Sequence, residues 1–270
     1  MTNENKLEYG HQVDIPIEAY HADSEWITST KLKRFAESPA LYNVKEQIAE
    51  SASIRIGKAV HAYALNDQDE IDSIRIFDDR RSKAYKDFAK TEEATTALIL
   101  NRKEYDIANH CADALYEDDV TCNLLDSGGF AESVLCWTDH LAMKCKARPD
   151  LLNRNAKLVC DIKTIANFSL RDIYRSFEKF RYHLQASHYL AGCRTIFGTD
   201  SDWQFVFCFV ETKTPFRTTA ISLSDYSLSR SDDFRFELLE RIRVAENLGK
   251  FEDSLANSLT QIDLPERCYE

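Results

Sequence analysis

Two aspartates and a lysine are spaced along the chain in a way that suits a metal site. Asp150 ends the motif Arg148-Pro149-Asp150, and Asp161 and Lys163 follow eleven and thirteen positions later. A β-strand projects residues two apart on the same face, so Asp161 and Lys163 should point together while Ile162 enters the core. Two carboxylates with few other ligands suit Mg²⁺ or Mn²⁺, which keep water and bind phosphate oxygens. The Lys163 ammonium could then orient or activate water at the ion and stabilise charge on a phosphate.

A β-hairpin would bring the two aspartates together. Residues 141–152 resemble a strand, and residues 153–156 have turn chemistry. A four-residue loop there predicts that Asp150 pairs with Val159 and lies diagonal to Asp161 on one face. The alternative is that Asp-x-Lys is a solvated strand edge or a surface ion pair, which contributes little to stability.

Four further residues are candidates for the same site. Gln185 and Tyr189 are four apart and so share one face of a predicted helix. There they could contact phosphate, water or a base. The alternative is a half-buried tyrosine beside an exposed glutamine. His61 follows Gly57 on a predicted helix. It is either a structural histidine or a metal ligand. Gly57 has no side chain, so backbone or phosphate could approach closely there. Glu132 could add a carboxylate, although a surface position is expected for it.

The elements that must position these residues predict an α/β core with an N-terminal helical addition. We expect one domain over residues 26–270 after an irregular N-terminal arm over residues 1–25, with a helical part over 26–127, a sheet core over 128–225 and a C-terminal helix over 229–248. The expected helices are 31–37, 42–51, 56–65, two within 82–116, 169–197 and 229–248, and the expected strands are 130–137, 141–152, 157–163, 203–210 and 217–223.

Composition limits the classes of function. The 270 residues carry a net charge of −11, which argues against nonspecific coating of nucleic acid but allows a confined cationic track. The absence of a long apolar run or an apolar leader predicts a soluble, cytoplasmic protein without a membrane partner. None of the eight cysteines forms a Cys-x-x-Cys pair. Candidates for the cationic track are Lys31, Lys33 and Arg34; Arg55 and Lys58; Lys144, Lys146 and Arg148; and Arg171, Arg175, Lys179 and Arg181.

Four motifs in a fixed order resemble a known family. They are Gly-x-x-x-His at 57–61, Arg-Pro-Asp at 148–150, Asp-x-Lys at 161–163 and Gln-x-x-x-Tyr at 185–189. The chain resembles the PD-(D/E)xK nucleases of the RecB-like branch, most closely the exonuclease VIII (RecE) nuclease domains of phage and prophage recombination systems. The likeness covers residues 29–210 and is most specific over residues 145–189. It implies a restriction-endonuclease-like core, with a mixed central sheet flanked by helices.

The resemblance also implies roles for individual residues. His61, Asp150, Asp161 and the Ile162 carbonyl would bind Mg²⁺, with Mn²⁺ as the alternative, and Lys163 would serve the attacking water or the scissile phosphate. This chain has Asp161 where many relatives carry glutamate, so its shorter arm requires a closer metal. The residues expected to position DNA are Gln185, Tyr189, Arg148, Arg181 and Tyr182.

By the same resemblance, we expect a 5′→3′ exonuclease that acts on double-stranded DNA ends and leaves 3′ single strands for recombination. A ring-like homo-oligomer and a single-strand-annealing partner are implied. No iron–sulfur cluster is expected, because no cysteine precedes Cys111 and only Cys268 lies near the C-terminus. The alternatives are an endonuclease or single-strand nuclease of the same superfamily, and a catalytically silent module that binds DNA ends or regulates.

Overall fold

A computed structural model describes residues 7–44, 50–79, 81–198, 202–253 and 261. The helices and strands within these residues are, in chain order, β1 (Gly10–Gln12), α1 (Ile17–Ala22), α2 (Ser29–Glu37), α3 (Ala52–Ala64), α4 (Gln68–Ser73), β2 (Ile74–Ile76), α5 (Lys83–Phe88), β3 (Leu98–Leu100), α6 (Arg102–Glu117), α7 (Asp119–Leu125), β4 (Phe130–Ala131), β5 (Val134–Thr138), β6 (Lys144–Ala147), β7 (Leu151–Asn153), β8 (Leu158–Ile165), α8 (Leu170–Phe180), α9 (Tyr182–Phe197), β9 (Gln204–Glu211), β10 (Thr218–Ser222) and α10 (Asp225–Leu248). Over the same residues, no helix is both long enough and apolar enough to cross a bilayer.

The central sheet has five strands in the order β10-β9-β8-β7-β4. Its β8 and β9 run parallel, and its other neighbours run antiparallel. A second, antiparallel sheet has the order β1-β5-β6, and β2 pairs with β3 in a short parallel ribbon. The fold is therefore a mixed α/β fold, as the sequence predicts, with helices on both faces of the central sheet.

Strand β8 supplies side chains to both faces of that sheet. Cys160 and Ile162 enter the hydrophobic core shared with α3 and α6, whereas Val159 and Ile165 enter the core shared with α9 and α10. Because side chains alternate along a strand, Asp161 belongs to the α9 face, where it contacts Gln185. The sequence prediction that Ile162 is buried in the core is confirmed.

Helix α9 lies unusually close to β5. A Cβ atom at Gly192 would lie 2.7 Å from Cζ3 of the buried Trp137, so only glycine allows this approach. The contact fixes the distance between α9 and β5 of the second sheet. Helix α9 also carries Gln185 and Tyr189.

Two of the expected strands are each split in two. The strand expected over residues 130–137 breaks at Glu132, which has a φ of 48°, so that β4 joins the central sheet and β5 the second sheet. The strand expected over residues 141–152 separates into β6 and β7, which also belong to different sheets. The physical reason is the same for both: the chain crosses from one sheet to the other at these two points.

The hairpin register also differs from the prediction. Leu152, rather than Asp150, pairs with Val159, because the loop begins one residue later than expected. The register therefore shifts by two residues, which keeps Asp150 on its predicted face and places it level with Asp161.

Helical regions differ in their boundaries. The helix expected over residues 169–197 breaks at Arg181, where φ is 48°, into α8 and α9. Residues 82–116 contain α5, a 3-10 turn, β3 and α6 instead of two helices. The N-terminal arm is not irregular over its described residues, because it contains β1 and α1 and packs Tyr20 against β5. The helix expected over residues 42–51 falls largely on residues 45–49, outside the described residues.

Candidate active site

Asp161 and Lys163 form an ion pair on the α9 side of β8. One oxygen of Asp161 contacts the Lys163 ammonium, and the other accepts a 2.6 Å hydrogen bond from Nε2 of Gln185. Burial raises the pKa of Asp161, Lys163 opposes that rise and Asp150 adds to it. Burial alone would lower the pKa of Lys163, but the carboxylates of Asp161 and Asp150 raise it above its ordinary value. Lys163 is therefore an ammonium at neutral pH.

Asp150 lies beside His61 and the backbone of β8. Its Oδ2 accepts a 2.6 Å hydrogen bond from the Ile162 N–H and lies 3.3 Å from Nδ1 of His61. The other ring nitrogen, Nε2, lies 3.0 Å from the Ile162 carbonyl oxygen. Burial opposes a charged imidazole, but Asp150 outweighs it and raises the pKa of His61 to about 9. A doubly protonated His61 satisfies both acceptors.

The same partners keep Asp150 ionised. Burial alone would raise the pKa of Asp150, but His61, Lys163 and the Ile162 N–H lower it below its ordinary value. The two aspartates thus differ in kind. Asp150 is held as an anion by its neighbours, whereas burial makes the charge of Asp161 less favourable.

Glu132 lies in the site rather than on the open surface that the sequence suggested. Ligand atoms of Glu132, His61 and Asp150 all lie within 4.8 Å of one another. The half-buried carboxylate of Glu132 accepts a 2.6 Å hydrogen bond from Nε of Arg148. Burial and Asp150 raise the pKa of Glu132, and Arg148 lowers it. Glu132 adopts left-handed backbone immediately after β4 ends, where the chain leaves the central sheet.

These donors fit a hard divalent cation. Three carboxylates, one imidazole and the Ile162 carbonyl are the ligand types that suit Mg²⁺ or Mn²⁺. His61 belongs to the ligand set that the resemblance implies, and it contacts both Asp150 and the Ile162 carbonyl. Ligand atoms of Glu132, His61 and Asp150 lie within 4.8 Å of one another, and the Asp161 carboxylate beside them is paired with Lys163 and Gln185. A metal would have to displace a proton from His61, because only neutral imidazole is a ligand.

The residues expected to position DNA hold the site together. Gln185 is buried and contacts Asp161 directly. Tyr189 is also buried, and its hydroxyl donates a 3.3 Å hydrogen bond to the Arg148 carbonyl. The guanidinium of Arg148 is engaged by Glu132 and by the Ile15 carbonyl, 2.6 Å away.

Tyr182 is the first residue of α9, and Arg181 is its N-cap. The Tyr182 ring centroid is 5.1 Å from the Lys163 ammonium and 5.5 Å from that of Lys33, so this half-buried ring packs against both amines. Arg181 occupies the left-handed break between α8 and α9, and its carbonyl accepts the Leu184 N–H at 3.1 Å.

Lys33 is a site residue that sequence reasoning did not single out. It reaches the site from α2, and its ammonium donates a 3.1 Å hydrogen bond to Oε1 of Gln185. The sequence placed Lys33 only in a cationic group with Lys31 and Arg34. No spacing pattern links it to Asp161, so only the packing of α2 on α9 reveals the contact.

A cleft of about 760 Å³ adjoins the site. It is lined by residues of α1 and of the start of α2, and by Glu132, Arg148 and Tyr189. Lys31, Arg34 and Lys146 also line it. A cleft with this excess of cations would attract an anionic substrate.

The fold and the site together define a class. A mixed sheet carries Asp-x-Lys on an inner strand, with a second aspartate immediately before the neighbouring hairpin strand, which is the arrangement of PD-(D/E)xK nucleases. The chain belongs to the family of PDDEXK-like domains of unknown function (DUF3799), whose family model matches residues 28–251.

One solved structure extends the likeness over nearly the whole chain. It is a crystal structure of a "Putative exonuclease" from Eubacterium rectale, with 14% sequence identity and a TM-score of 0.64. The match covers 95% of this chain and 98% of that one, and at this identity it shows a shared fold. The comparison with curated proteins found no match.

Proposed function

We propose that this protein is a Mg²⁺-dependent deoxyribonuclease, specifically a 5′→3′ exonuclease that digests linear double-stranded DNA and exposes a 3′ single strand. The observation that carries the proposal is the convergence of Asp150, Asp161, Lys163 and His61 on one site. Family membership supports the nuclease activity. Polarity and the preference for DNA ends rest on the resemblance to exonuclease VIII nuclease domains.

Each side chain of the site has a proposed role, either in holding the metal or in binding phosphate or water. Bound Mg²⁺, with Mn²⁺ as the alternative, would supply Lewis-acid charge to a phosphodiester oxygen and lower the pKa of water. Glu132, His61, Asp150, Asp161 and the Ile162 carbonyl would hold it. Lys163 remains an ammonium and would donate hydrogen bonds to the scissile phosphate or to the attacking water.

The outer face of α8 offers a path for DNA toward Lys163. Arg171, Arg175 and Lys179 are exposed at intervals of four, so they form one stripe along the helix. Tyr174, which is 65% exposed, lies beside the stripe. The same helix carries Asp172, which pairs with Arg175 at 3.5 Å, and Glu178, so its three cations exceed its two anions by one. Phe180 then stacks on Tyr182, which packs against Lys163.

The proposal includes an assembly and a setting. By the same resemblance, we propose a ring-like homo-oligomer that encloses DNA, a single-strand-annealing partner that receives the 3′ strand, and a cytoplasmic location. The resemblance supports these three statements, and each is open to direct test by sedimentation, co-purification and fractionation.

Digestion of end-labelled DNA tests the activity. Linear duplex labelled at the 5′ or the 3′ end, closed circular duplex and single strands are incubated with Mg²⁺ or with EDTA. Wild type should release the 5′ label first from linear duplex, leave circles intact and be silent in EDTA. Lys163→Ala should be inactive yet folded by circular dichroism, whereas Lys103→Ala, an exposed lysine on α6, should match wild type.

Other outcomes select the alternatives. Cleavage of circles indicates an endonuclease, and preference for single strands indicates a single-strand nuclease. Binding of DNA ends without any Mg²⁺-dependent product indicates a silent binding module. Equal activity of Lys163→Ala and wild type would remove the proposed mechanism.

A further inference from the structure

A second amine lies beside the ion pair of Asp161 and Lys163. Lys33 projects from α2, is partly buried, and donates a 3.1 Å hydrogen bond to Oε1 of Gln185. Its ammonium lies 5.5 Å from the Tyr182 ring centroid, on the ring that also packs against Lys163. Within the described part of the chain, no carboxylate forms an ion pair with Lys33. Enclosing a charged amine without a carboxylate partner costs free energy. Burial lowers the pKa of Lys33 to about 7; Lys163 adds to this effect and Asp161 opposes it.

The chemistry of the contact fixes which way the Gln185 amide points. In its protonated form Lys33 has donors and no acceptor, so it then faces only the carbonyl end of the Gln185 carboxamide. With Oε1 held by Lys33, the Nε2 group must point to the opposite side. There it donates the 2.6 Å hydrogen bond to Oδ1 of Asp161.

We propose that Lys33 is a positioning residue that acts on Asp161 through Gln185, making a hydrogen-bonded chain from α2 to α9 to β8. This series of side-chain contacts ends at Lys163, which contacts the other oxygen of Asp161. Both oxygens of this proposed metal ligand are thereby oriented, one by an amide and one by an amine. Partners of this kind typically change metal affinity by about 10–100-fold when removed. The inference rests on the proposed function, since it assigns Asp161 a metal.

Metal binding measured without DNA tests the inference separately from nuclease activity. Calorimetric titration with Mn²⁺ is compared for wild type, Lys33→Met, Lys33→Arg and the control Lys103→Met. Lys33→Met should weaken Mn²⁺ binding about tenfold. Lys33→Arg keeps a donor-only head group and should recover most of the affinity, and Lys103→Met should equal wild type. Thermal unfolding by circular dichroism confirms that each variant is folded.

A double-mutant cycle tests the route through Gln185. In a Gln185→Leu background, Lys33→Met should add little further loss, because the group it acts on is gone. At saturating metal, Lys33→Met should lower kcat with little change in KM for DNA. Unchanged Mn²⁺ affinity in Lys33→Met, failure of Lys33→Arg to recover, or full additivity with Gln185→Leu would each overturn the inference. Normal Mn²⁺ effects with no cleavage by wild type would instead reject the proposed nuclease function alone.

Discussion

The imidazole of His61 is held against Asp150, with Nδ1 3.3 Å from Oδ2, while its Nε2 faces the Ile162 carbonyl. One side chain therefore connects a helix, a hairpin strand and the backbone of β8. The pKa of His61 is raised to about 9, so both of its ring nitrogens carry a proton at neutral pH in the metal-free protein. Proton and metal compete for this residue.

The His61 contact should make stability depend on pH. Its pKa is about 9 in the folded protein and near 6.5, the model value, in the unfolded chain. The folded state therefore binds the proton more tightly, so the stabilisation is complete below pH 6.5 and is lost as pH rises through about 9. In EDTA, the difference in free energy of unfolding between wild type and His61→Asn should shrink from pH 6 to pH 9.5 in urea titrations. A difference that grows over this range would contradict the assigned pairing.

The two aspartates should respond differently to neutralisation. Asp150→Asn removes an anion that His61 and the Ile162 N–H stabilise, so it should lower stability by roughly 1–3 kcal/mol. Asp161→Asn should cost less, because burial already disfavours the Asp161 charge. Both variants should lose at least roughly 100-fold in cleavage. Thermal unfolding and Mg²⁺-dependent digestion measure the two effects, and a greater loss of stability in Asp161→Asn would reverse the proposed ranking.

The stripe on α8 should contribute to the salt dependence of DNA binding. Each phosphate contact adds about 0.9 to the slope of log affinity against log salt. Replacing Arg171, Arg175 and Lys179 by alanine should therefore reduce the slope by about 2 to 3, as measured by fluorescence anisotropy in EDTA. The matched control replaces three exposed arginines of α10, namely Arg230, Arg241 and Arg243. Equal slopes for the two triple variants would rule out the path along α8.

Two helical glycines should differ in their tolerance of alanine. At Gly192 a Cβ would lie 2.7 Å from Trp137, so Gly192→Ala should destabilise by about 1–3 kcal/mol. At Gly57 a Cβ would lie 3.5 Å from Oγ1 of Thr164, which is ordinary contact. Gly57→Ala should be neutral or stabilise α3 by up to about 1 kcal/mol. Urea unfolding of the two variants makes the comparison, and equal stabilities would show that α9 can move away from β5.

Local periodicity predicted the parts of the site that lie on regular elements. The two-residue repeat of β8 set Asp161 and Lys163 on one face, and the structure places them in contact. The four-residue repeat put Gln185 and Tyr189 on one face of a helix, and both face the site from α9. Such arguments need only the geometry of a single element.

The breaks between elements gave no sequence signal. Glu132 and Arg181 both adopt left-handed backbone, a conformation usually signalled by glycine or asparagine. Neither residue type suggests such a turn, so one strand and one helix were predicted to continue through them. Because the break at Glu132 is not predicted, its position in the site is not predicted either. Lys33 was missed for a different reason, since its partner Gln185 is distant in sequence and only tertiary packing brings them together.

The two crossings between sheets have a mechanical consequence. Glu132 lies at one crossing and Asp150 at the other, with their backbones joined by the 3.1 Å hydrogen bond from the Glu132 N–H to the Asp150 carbonyl. Any change in how the two sheets meet would therefore change the spacing of the Glu132 and Asp150 carboxylates, which share a group of ligand atoms within 4.8 Å of one another.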